Sequence, residues 1–306
     1  MLSYNWYISG DLFQLPPIYD SLVTDHSSLD GRPNCAPGQW KDNFKIFYLT
    51  EKMRNQTDPK FQALCDRVSR GKVIEEDIEF FKSRIIDCPS EMNNEFFKSG
   101  QLTMIVTTIT KREFVNHEKL RILLPSQKEF NCNSIDRSVN LPTENELPDR
   151  LKHNSGRTGN LETKLKLKVG APVVVTSNHS KRKYKEDGLT NGARGFVSAI
   201  QVSKNDPDKV EVVWVVFNDP NIAKLYRFDH KHLRSNFNPG HILATPILPA
   251  RKNFRGGNIE YQRQNFALSL AYAVTAHKCQ GWTLDEIIVD FGGDKDLKIK
   301  SYIIPG

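Results

Sequence analysis

Several features that would assign a function class directly are missing from this sequence of 306 residues. Its five cysteines are scattered and form no Cys-x-x-Cys pair, so neither a disulfide framework nor a zinc site is predicted. No apolar run is long enough to cross a membrane, and the N-terminus lacks the basic region and apolar core of a secretory signal. These absences favour a reducing, intracellular compartment and predict no membrane partner.

Two parts of a nucleotide-hydrolysing site are also absent. No Gly-x-x-x-x-Gly-Lys-Ser/Thr segment occurs, and the only Gly-Lys pair, Gly71-Lys72, follows a predicted helix and precedes a valine. No apolar strand ends in Asp-Glu, because Asp285-Glu286 precedes its strand and Asp290 ends one without a glutamate. The sequence therefore contains no phosphate-cradling loop and no pair of carboxylates placed to hold Mg²⁺.

Positive charge is in moderate excess. Lys and Arg number 43 against 36 Asp and Glu, which gives a net charge of +7. This excess weakly favours a polyanionic partner. The hydrophobic content of 38% is ordinary, so we expect a folded core, and the length suits roughly two domains.

The most informative stretch runs from Leu268 to Phe291. An apolar run from Leu268 to Val274 is typical of a strand that is buried on both faces, and Ile287–Val289 predicts a second such strand. The polar residues between them are Thr275, His277, Lys278, Cys279, Gln280 and Gly281. They would lie at the carboxyl end of the first strand, where open α/β sheets bind ligands such as phosphates. A polar turn without a ligand explains the same residue types equally well.

Two segments resemble helicase motifs. Thr275 to Gly281, which reads Thr-Ala-His-Lys-Cys-Gln-Gly, resembles motif V of superfamily-one helicases of the petite-integration-frequency (Pif-type) and RecD-like branch. Cys279 stands where that family usually has a serine, and a thiol is a weaker donor than a hydroxyl. Gly10 to Pro17, which reads Gly-Asp-Leu-Phe-Gln-Leu-Pro-Pro, resembles motif III of the same branch. Their family order indicates a Pif-type or RecD-like helicase.

The resemblance implies roles for individual residues. Gln14 would sense the γ-phosphate of ATP, with Asp11 as its neighbour. Arg54 lies in a segment that resembles motif IV and would also reach the γ-phosphate, although a surface salt bridge is the alternative. The residues expected to face the DNA backbone are Thr275, His277, Lys278 and Gln280. We expect His277 and Gln280 to act by position, because no ligand or acid-base partner lies at a suitable spacing.

A basic run with one aromatic residue is a further candidate for nucleic-acid binding. It consists of Lys181, Arg182, Lys183, Tyr184 and Lys185. Such a run can grip a nucleic-acid backbone and stack a base. A solvated hairpin tip is the favoured alternative.

The local patterns predict an α/β fold. A helix should begin at Asp58-Pro59 and stop at Gly71, and another should cover Glu75–Ile85. A buried strand is predicted over Leu102–Thr108 and a helix over Lys111–Leu123, whereas Asn131–Asn160 is expected to be a mobile loop. The short β-type runs expected after Leu165 are Val173–Val175, Phe196–Val197, Val210–Phe217 and Leu225–Phe228.

The resemblance organises these elements into domains. It implies a RecA-like parallel-sheet domain with an inserted small Src-homology-three-like β-barrel, preceded by the tail end of a first RecA-like domain. Residues 1–43 would be the remnant of the first domain with a linker, and residues 44–164 the first part of the second. Residues 165–235 would form the barrel, and residues 236–306 the second part of the second domain.

The function implied by the resemblance is that of an ATP-dependent DNA helicase. The family hydrolyses ATP with Mg²⁺ and moves five-prime to three-prime on single-stranded DNA. It also acts at DNA junctions and serves in DNA repair and recombination. A nuclear or mitochondrial location is implied if the organism is eukaryotic. Because the phosphate loop, the Mg²⁺ acids and motif VI are missing, with no arginine after Arg263, the chain is expected to be an inactive C-terminal half. Two alternatives stay open: a non-catalytic nucleic-acid-binding module, and an inactive transposon or gene-model remnant.

Overall fold

The computed structural model describes residues 45, 47–48, 58–86, 102–139, 147–152, 155–280, 282, 284, 286–290 and 301–305. The chain divides into two compact units, Met1–Ser83 and Arg84–Gly306. None of the helices in the described ranges combines the length and the apolar character that a bilayer crossing requires.

The described ranges contain short helices and many short strands. The helices are α1 (Pro59–Ser69), α2 (Glu75–Ser83), α3 (Ile109–Leu123), α4 (Asp149–Lys152), α5 (Arg182–Glu186), α6 (Lys224–Asp229) and α7 (Ala276–Cys279), with 3₁₀ turns at Ser155–Arg157 and Lys231–Ser235. The strands are β1 (Ile85–Ile86), β2 (Leu102–Val106), β3 (Phe130–Asn133), β4 (Ile135–Ser138), β5 (Lys164–Leu167), β6 (Pro172–Val175), β7 (Arg194–Val202), β8 (Val210–Phe217), β9 (Thr245–Ile247), β10 (Ala250–Gly256), β11 (Ile259–Asn265), β12 (Leu268–Leu270), β13 (Ala273–Thr275), β14 (Glu286–Asp290) and β15 (Ser301–Pro305).

In the first unit, α1 begins and ends as predicted. The Asp58 carboxylate accepts a hydrogen bond from the Phe61 amide at 2.9 Å, which caps the helix, and Gly71 follows its end with a φ of +66°. The guanidinium of Arg67 binds both carboxylate oxygens of the buried Asp77, at 2.8 and 2.5 Å. This bidentate pair joins α1 to α2 and holds the pKa of Asp77 below its ordinary value.

The second unit contains a sheet with a parallel centre. Its strand order is β1-β15-β14-β2-β13, with β2 parallel to both β13 and β14. The helix α3 covers this sheet, and Val115 on the helix packs into a cluster of buried residues with Met104, Ala273 and Ile288. The predicted strand over Leu102–Thr108 and the predicted helix that follows it are therefore confirmed, each with slightly different bounds.

The remaining strands form antiparallel sheets. One has the order β12-β6-β7-β8-β9, another the order β10-β11-β4, and β3 pairs with β5. The largest cluster of buried side chains packs on the first of these sheets and includes Val173, Val197, Val213 and Leu268. The β-type runs predicted at Val173–Val175, Phe196–Val197 and Val210–Phe217 are confirmed.

The single strand predicted over Leu268–Val274 is in fact two strands in two sheets. β12 pairs with β6 in the antiparallel sheet, whereas β13 pairs with β2 in the parallel sheet. Ala271 and Tyr272 make the transition: the Ala271 amide donates to Pro172 O at 3.0 Å, and Tyr272 O accepts from the Met104 amide at 2.9 Å. The run is buried throughout, so its apolar pattern contains no mark of the transition.

The loop predicted over Asn131–Asn160 is also wrong in part, because β3, β4 and α4 lie within it. The strand β4 is an edge strand of its sheet and pairs only with β11. Edge strands carry polar residues, which keep them from pairing with other chains. The polar composition that suggested a loop is therefore that of exposed strands.

The β-type run predicted at Leu225–Phe228 lies in the helix α6. The Asp187 carboxylate accepts hydrogen bonds from the amides of Leu225 and Tyr226, at 3.0 and 2.9 Å. A carboxylate at these first amides stabilises the N-terminus of a helix. Because Asp187 is 38 residues away in the sequence, no local pattern indicates this cap.

Candidate nucleic-acid interface

The polar residues Thr275, His277, Lys278, Cys279 and Gln280 lie at the carboxyl edge of the parallel sheet. Thr275, the last residue of β13, is in register with Val106 of β2, and Asp290 of β14 is in register with the same residue. The three strands therefore end in one line, and α7 follows directly after β13. This is the edge at which open α/β sheets bind ligands, so the predicted placement of the segment is confirmed.

The side chains of this edge differ in exposure. His277 and Gln280 are exposed, whereas Thr275 and Lys278 are partly buried. The Thr275 hydroxyl makes no capping bond to α7. The Cys279 thiol donates to Ala276 O at 3.3 Å within the same turn, and burial raises its pKa. The thiol is thus protonated and occupied by the backbone, which makes it an unreactive group.

Behind the edge lies a charged group, termed the inner charge cluster, that consists of Arg112, Glu162, Ser269 and Lys278. The Ser269 hydroxyl donates to a Glu162 carboxylate oxygen at 2.6 Å. Desolvation raises the pKa of Glu162, against the influence of Ser269, Arg112 and Lys278. Desolvation also lowers the pKa of Lys278, and repulsion by Arg112 adds to this, whereas attraction by Glu162 opposes it.

Arg112 adds a desolvation cost to this cluster, because its charged side chain is buried. It donates to the Glu113 carboxylate at 3.2 Å, while its Nε has no hydrogen-bond partner among the described residues. Two cations, Arg112 and Lys278, therefore meet two carboxylates, Glu162 and Glu113, so the charges behind this edge largely balance. Lys278 is the member of this group that belongs to the predicted DNA-facing set.

Asn116 fixes the backbone that leads into the edge. Its buried amide nitrogen donates to Leu270 O at 3.3 Å and to Ala273 O at 3.0 Å. Its amide oxygen accepts from the Ala273 amide at 2.8 Å. One side chain on α3 thus hydrogen-bonds the backbone on both sides of the break between β12 and β13, and it fixes where β13 begins.

Trp282 was missed by the sequence reasoning, and it lies just beyond the Thr275–Gly281 segment. The Arg194 guanidinium lies over its ring, 5.3 Å from the centroid. Gly192, with a φ of +94°, passes so close that a Cβ would lie 3.0 Å from the indole nitrogen. The Asn191–Gly195 loop therefore packs on this ring. The only signal in the sequence is the glycine pair that brackets Arg194.

The basic run at 181–185 is a helix, α5, and the predicted hairpin tip is wrong. Tyr184 is 3% exposed, and its hydroxyl donates to Asp229 at 2.8 Å. A ring in this position offers no open face to a base, so the expected stacking role does not fit this conformation. Arg182 and Lys183 are paired with Glu186 and Asp229, at 2.7 and 2.6 Å. Lys181 is exposed.

The residues predicted to face the nucleotide, Asp11, Gln14 and Arg54, lie outside the described residues. Within the part of the chain that the structure describes, no group of three or more His, Cys, Asp and Glu side chains is placed to hold a metal ion. Asp290, at the end of β14, forms an ion pair with Lys111 at 3.3 Å. The described residues therefore show no fit to a bound Mg²⁺.

The fold and this edge define the class: a mixed α/β protein with a parallel sheet, several antiparallel sheets and polar residues where such sheets bind ligands. No protein-family model matches the chain. Among curated proteins, the ATP-dependent DNA helicase PIF1 of Emericella nidulans is 24% identical over 318 residues, which cover 93% of this chain and 38% of that protein.

Solved structures of Pif1 helicases share the fold. The crystal structure of Pif1 helicase from Candida albicans has a TM-score of 0.60 and 21% identity, and covers 92% of this chain and 57% of that one. The Bacteroides Pif1 helicase in complex with ADP-AlF3 and single-stranded DNA has a TM-score of 0.57 and 22% identity, and covers 93% of this chain and 56% of that one. The resemblance to Pif-type helicases is thus confirmed. The chain spans 38% to 57% of the length of these three proteins.

Proposed function

We propose that this chain is part of a Pif1-type, ATP-dependent DNA helicase and supplies one side of its single-stranded DNA groove. The observation that supports this most directly is the placement of the Thr275–Gly281 segment at the carboxyl edge of a parallel sheet. The similarity to Pif1 helicases over 93% of the chain supports the same assignment.

The DNA-facing role follows from the exposure of the edge. The exposed imidazole of His277 and amide of Gln280 can donate hydrogen bonds to backbone phosphates, and the Thr275 hydroxyl is not used as a cap. Lys278 adds a positive charge to the same edge. Each of these groups contacts phosphate or sugar and not a base, so binding would be independent of sequence.

The nucleotide-facing role belongs to residues outside the described ranges. By resemblance, Gln14 with its neighbour Asp11 and Arg54 would contact the γ-phosphate of ATP, which the whole protein would hydrolyse with Mg²⁺. A guanidinium suits this role because it stabilises charge spread over phosphoryl oxygens. Movement on single-stranded DNA, action at junctions and a nuclear or mitochondrial location are likewise proposals for the whole protein.

The domain layout is part of the same proposal. Within the 165–235 bounds set by resemblance, β6, β7 and β8 would form the core of the Src-homology-three-like insert, whereas β12 and β9, which flank them in the same sheet, lie outside those bounds. The parallel sheet would belong to the second RecA-like domain. A non-catalytic nucleic-acid-binding module is the second candidate function, favoured by the absence of a phosphate-cradling loop from the 306 residues.

The 306-residue chain by itself is expected not to hydrolyse ATP measurably. The missing loop and acids supply most of the charge stabilisation in phosphoryl transfer. Phosphate release with and without single-stranded DNA is the measurement, alongside a version extended at both ends along the genomic reading frame. DNA-stimulated turnover by the 306 residues that Arg54→Ala abolishes would contradict this expectation.

The variants His277→Ala and Gln280→Ala are expected to weaken binding of single-stranded DNA by about threefold to tenfold each, since each removes one hydrogen bond to the backbone. Fluorescence anisotropy with a labelled oligothymidylate measures the change. Asn205→Ala, an exposed change in the turn between β7 and β8, is the matched control and should have no effect. In a longer, active version, ATP binding without DNA should survive both changes. Lost nucleotide affinity with intact DNA binding would reverse the assignment.

A further inference from the structure

A cavity of about 340 Å³ lies in the second unit, and none of the residues assigned to the DNA-facing edge lines it. The segment that follows β6, the helices α5 and α6, and the start of β10 enclose it. Its lining contains the cations Lys181, Arg251 and Lys252 and the imidazoles of His179 and His230. Among the described residues that line it, none is acidic. The lining residues therefore carry a net positive charge, and the nearby Asp229 carboxylate is already paired with Lys183 and the Tyr184 hydroxyl.

The wall of the cavity is a rigid group of rings. His179 meets the Tyr184 ring edge-on at 4.8 Å, and Tyr184 meets Tyr226 at 4.8 Å. His230 stacks on Tyr226 at 4.0 Å, with an interplanar angle of 27°. Both tyrosines are buried, at 3% and 4% exposure. Aromatic contacts of this kind, with two buried members, hold the imidazoles in fixed orientations.

Hydrogen bonding determines the tautomer of His179. Its Nδ1 accepts a hydrogen bond from the Lys181 amide at 3.1 Å, so the neutral ring carries its proton on Nε2. Nε2–H is therefore a donor. Burial lowers the pKa of His179, and the positive charges of Lys181, His230 and Lys252 lower it further. Lys181 and Lys252 therefore lie close enough to the His179 ring to disfavour its charged form.

The Lys252 ammonium is held in place by a hydrogen bond that it donates to Asn178 O at 3.1 Å. The ammonium keeps two further protons for a ligand. The Arg251 Nε donates to the Gln264 side chain at 3.0 Å, so the two terminal guanidinium nitrogens can donate to a ligand. The cavity thus offers several fixed donors and aromatic walls.

We propose that this cavity binds the phosphate monoester of a nucleotide. Several cations and an imidazole N–H match a dianionic terminal phosphate, and the ring wall matches the apolar part of a sugar or base. A volume of about 340 Å³ suits a ligand of one nucleotide. The ligand is either a free mononucleotide or the phosphorylated end of a single strand. The site does not depend on the proposed helicase function.

Calorimetric titration of the 306-residue chain with thymidine 5′-monophosphate tests the site. The variants Lys181→Gln and Lys252→Gln should each weaken binding about tenfold, whereas Lys185→Gln should not change it. Lys185 is the matched control, because it belongs to the same basic helix but does not line the cavity. Thymidine without a phosphate should bind at least tenfold more weakly. Circular dichroism melts verify that each variant is folded.

Oligothymidylates with a five-prime phosphate, a three-prime phosphate or no phosphate distinguish the two sources. Tighter binding of one phosphorylated strand, lost in Lys181→Gln, assigns the strand end. Equal binding of all strands, with the monophosphate still bound, assigns a free nucleotide. Absence of monophosphate binding, or affinities unchanged in both cavity variants, would overturn the site. Lys278→Gln should leave monophosphate binding intact. If the unchanged chain binds the monophosphate but no unphosphorylated single-stranded DNA, only the helicase assignment is rejected.

Discussion

Replacing Arg263 with methionine should destabilise the second unit more than any other single change considered. The side chain is fully buried, and its guanidinium binds both carboxylate oxygens of Asp136 at 2.7 and 2.8 Å. It also donates to the Thr158 hydroxyl at 2.8 Å and to the carbonyls of Leu161 and Lys152. Methionine fills the space but removes the ion pair and all of these hydrogen bonds, at a cost of about 3 kcal/mol or more.

For a unit of this size, such a loss lowers the melting temperature by about 6–12 °C. Thermal and urea unfolding monitored by circular dichroism measures it. Arg255→Met is the control, because Arg255 is exposed on the neighbouring strand β10 and should change stability by less than about 0.5 kcal/mol. Equal stability of the two variants would mean that the network around Arg263 does not support the fold.

Asn116→Ala is expected to cost about 2–4 kcal/mol, because it leaves the Ala273 amide and two buried carbonyls without their partner. It should also weaken DNA binding at temperatures where the variant is folded, since Asn116 sets the start of β13 and hence the position of Thr275. Urea unfolding and anisotropy at low temperature measure the two effects. A variant that is destabilised but binds DNA normally would show that Asn116 does not position this edge.

Asn116→Asp provides a second check on the same hydrogen bonds. The carboxylate keeps the acceptor for the Ala273 amide but faces two carbonyls, which raises its pKa in the folded state. A raised folded pKa makes the protonated form stabilising, because the carboxyl can then donate to one carbonyl. The variant's stability relative to the unchanged chain should therefore recover as the pH falls and decline as it rises through that pKa. A pH-independent difference would contradict this geometry.

The parts of the fold and site that could be predicted are those with local signals. Asp58-Pro59 and Gly71 mark α1 because capping chemistry is local. The placement of Thr275 to Gly281 at the sheet edge could be predicted because a buried strand followed by polar residues is a local pattern. The resemblance to helicase motifs added the type of ligand, which residue spacing alone does not provide.

The parts that could not be predicted depend on partners distant in sequence. The Asp187 carboxylate caps α6 across 38 residues, and Arg263 meets Asp136 across 127 residues. The break between β12 and β13 at Ala271 is fixed by Asn116, which lies on the helix α3. The apolar run from Leu268 to Val274 contains no sign of this break, so it predicts one continuous strand. Tyr184 was a candidate for stacking on a base because it lies in a basic run, whereas a hydrogen bond to Asp229 and ring contacts with His179 and Tyr226 bury it. Tertiary contacts outweigh local preference in each case.

The central claim is that the carboxyl edge of the parallel sheet binds the backbone of single-stranded DNA, and the salt dependence of binding tests it most directly. The affinity of the 306-residue chain for an oligothymidylate should be measured between about 50 and 200 mM salt, where each neutralised phosphate contributes a log–log slope of about −0.7. We expect weak binding with a slope at least as steep as about −0.7, because Lys278 is the one lysine or arginine in the DNA-facing set. Lys278→Gln should reduce the slope by about 0.7. An affinity that does not change with salt, or a slope unaffected by Lys278→Gln, would contradict the account.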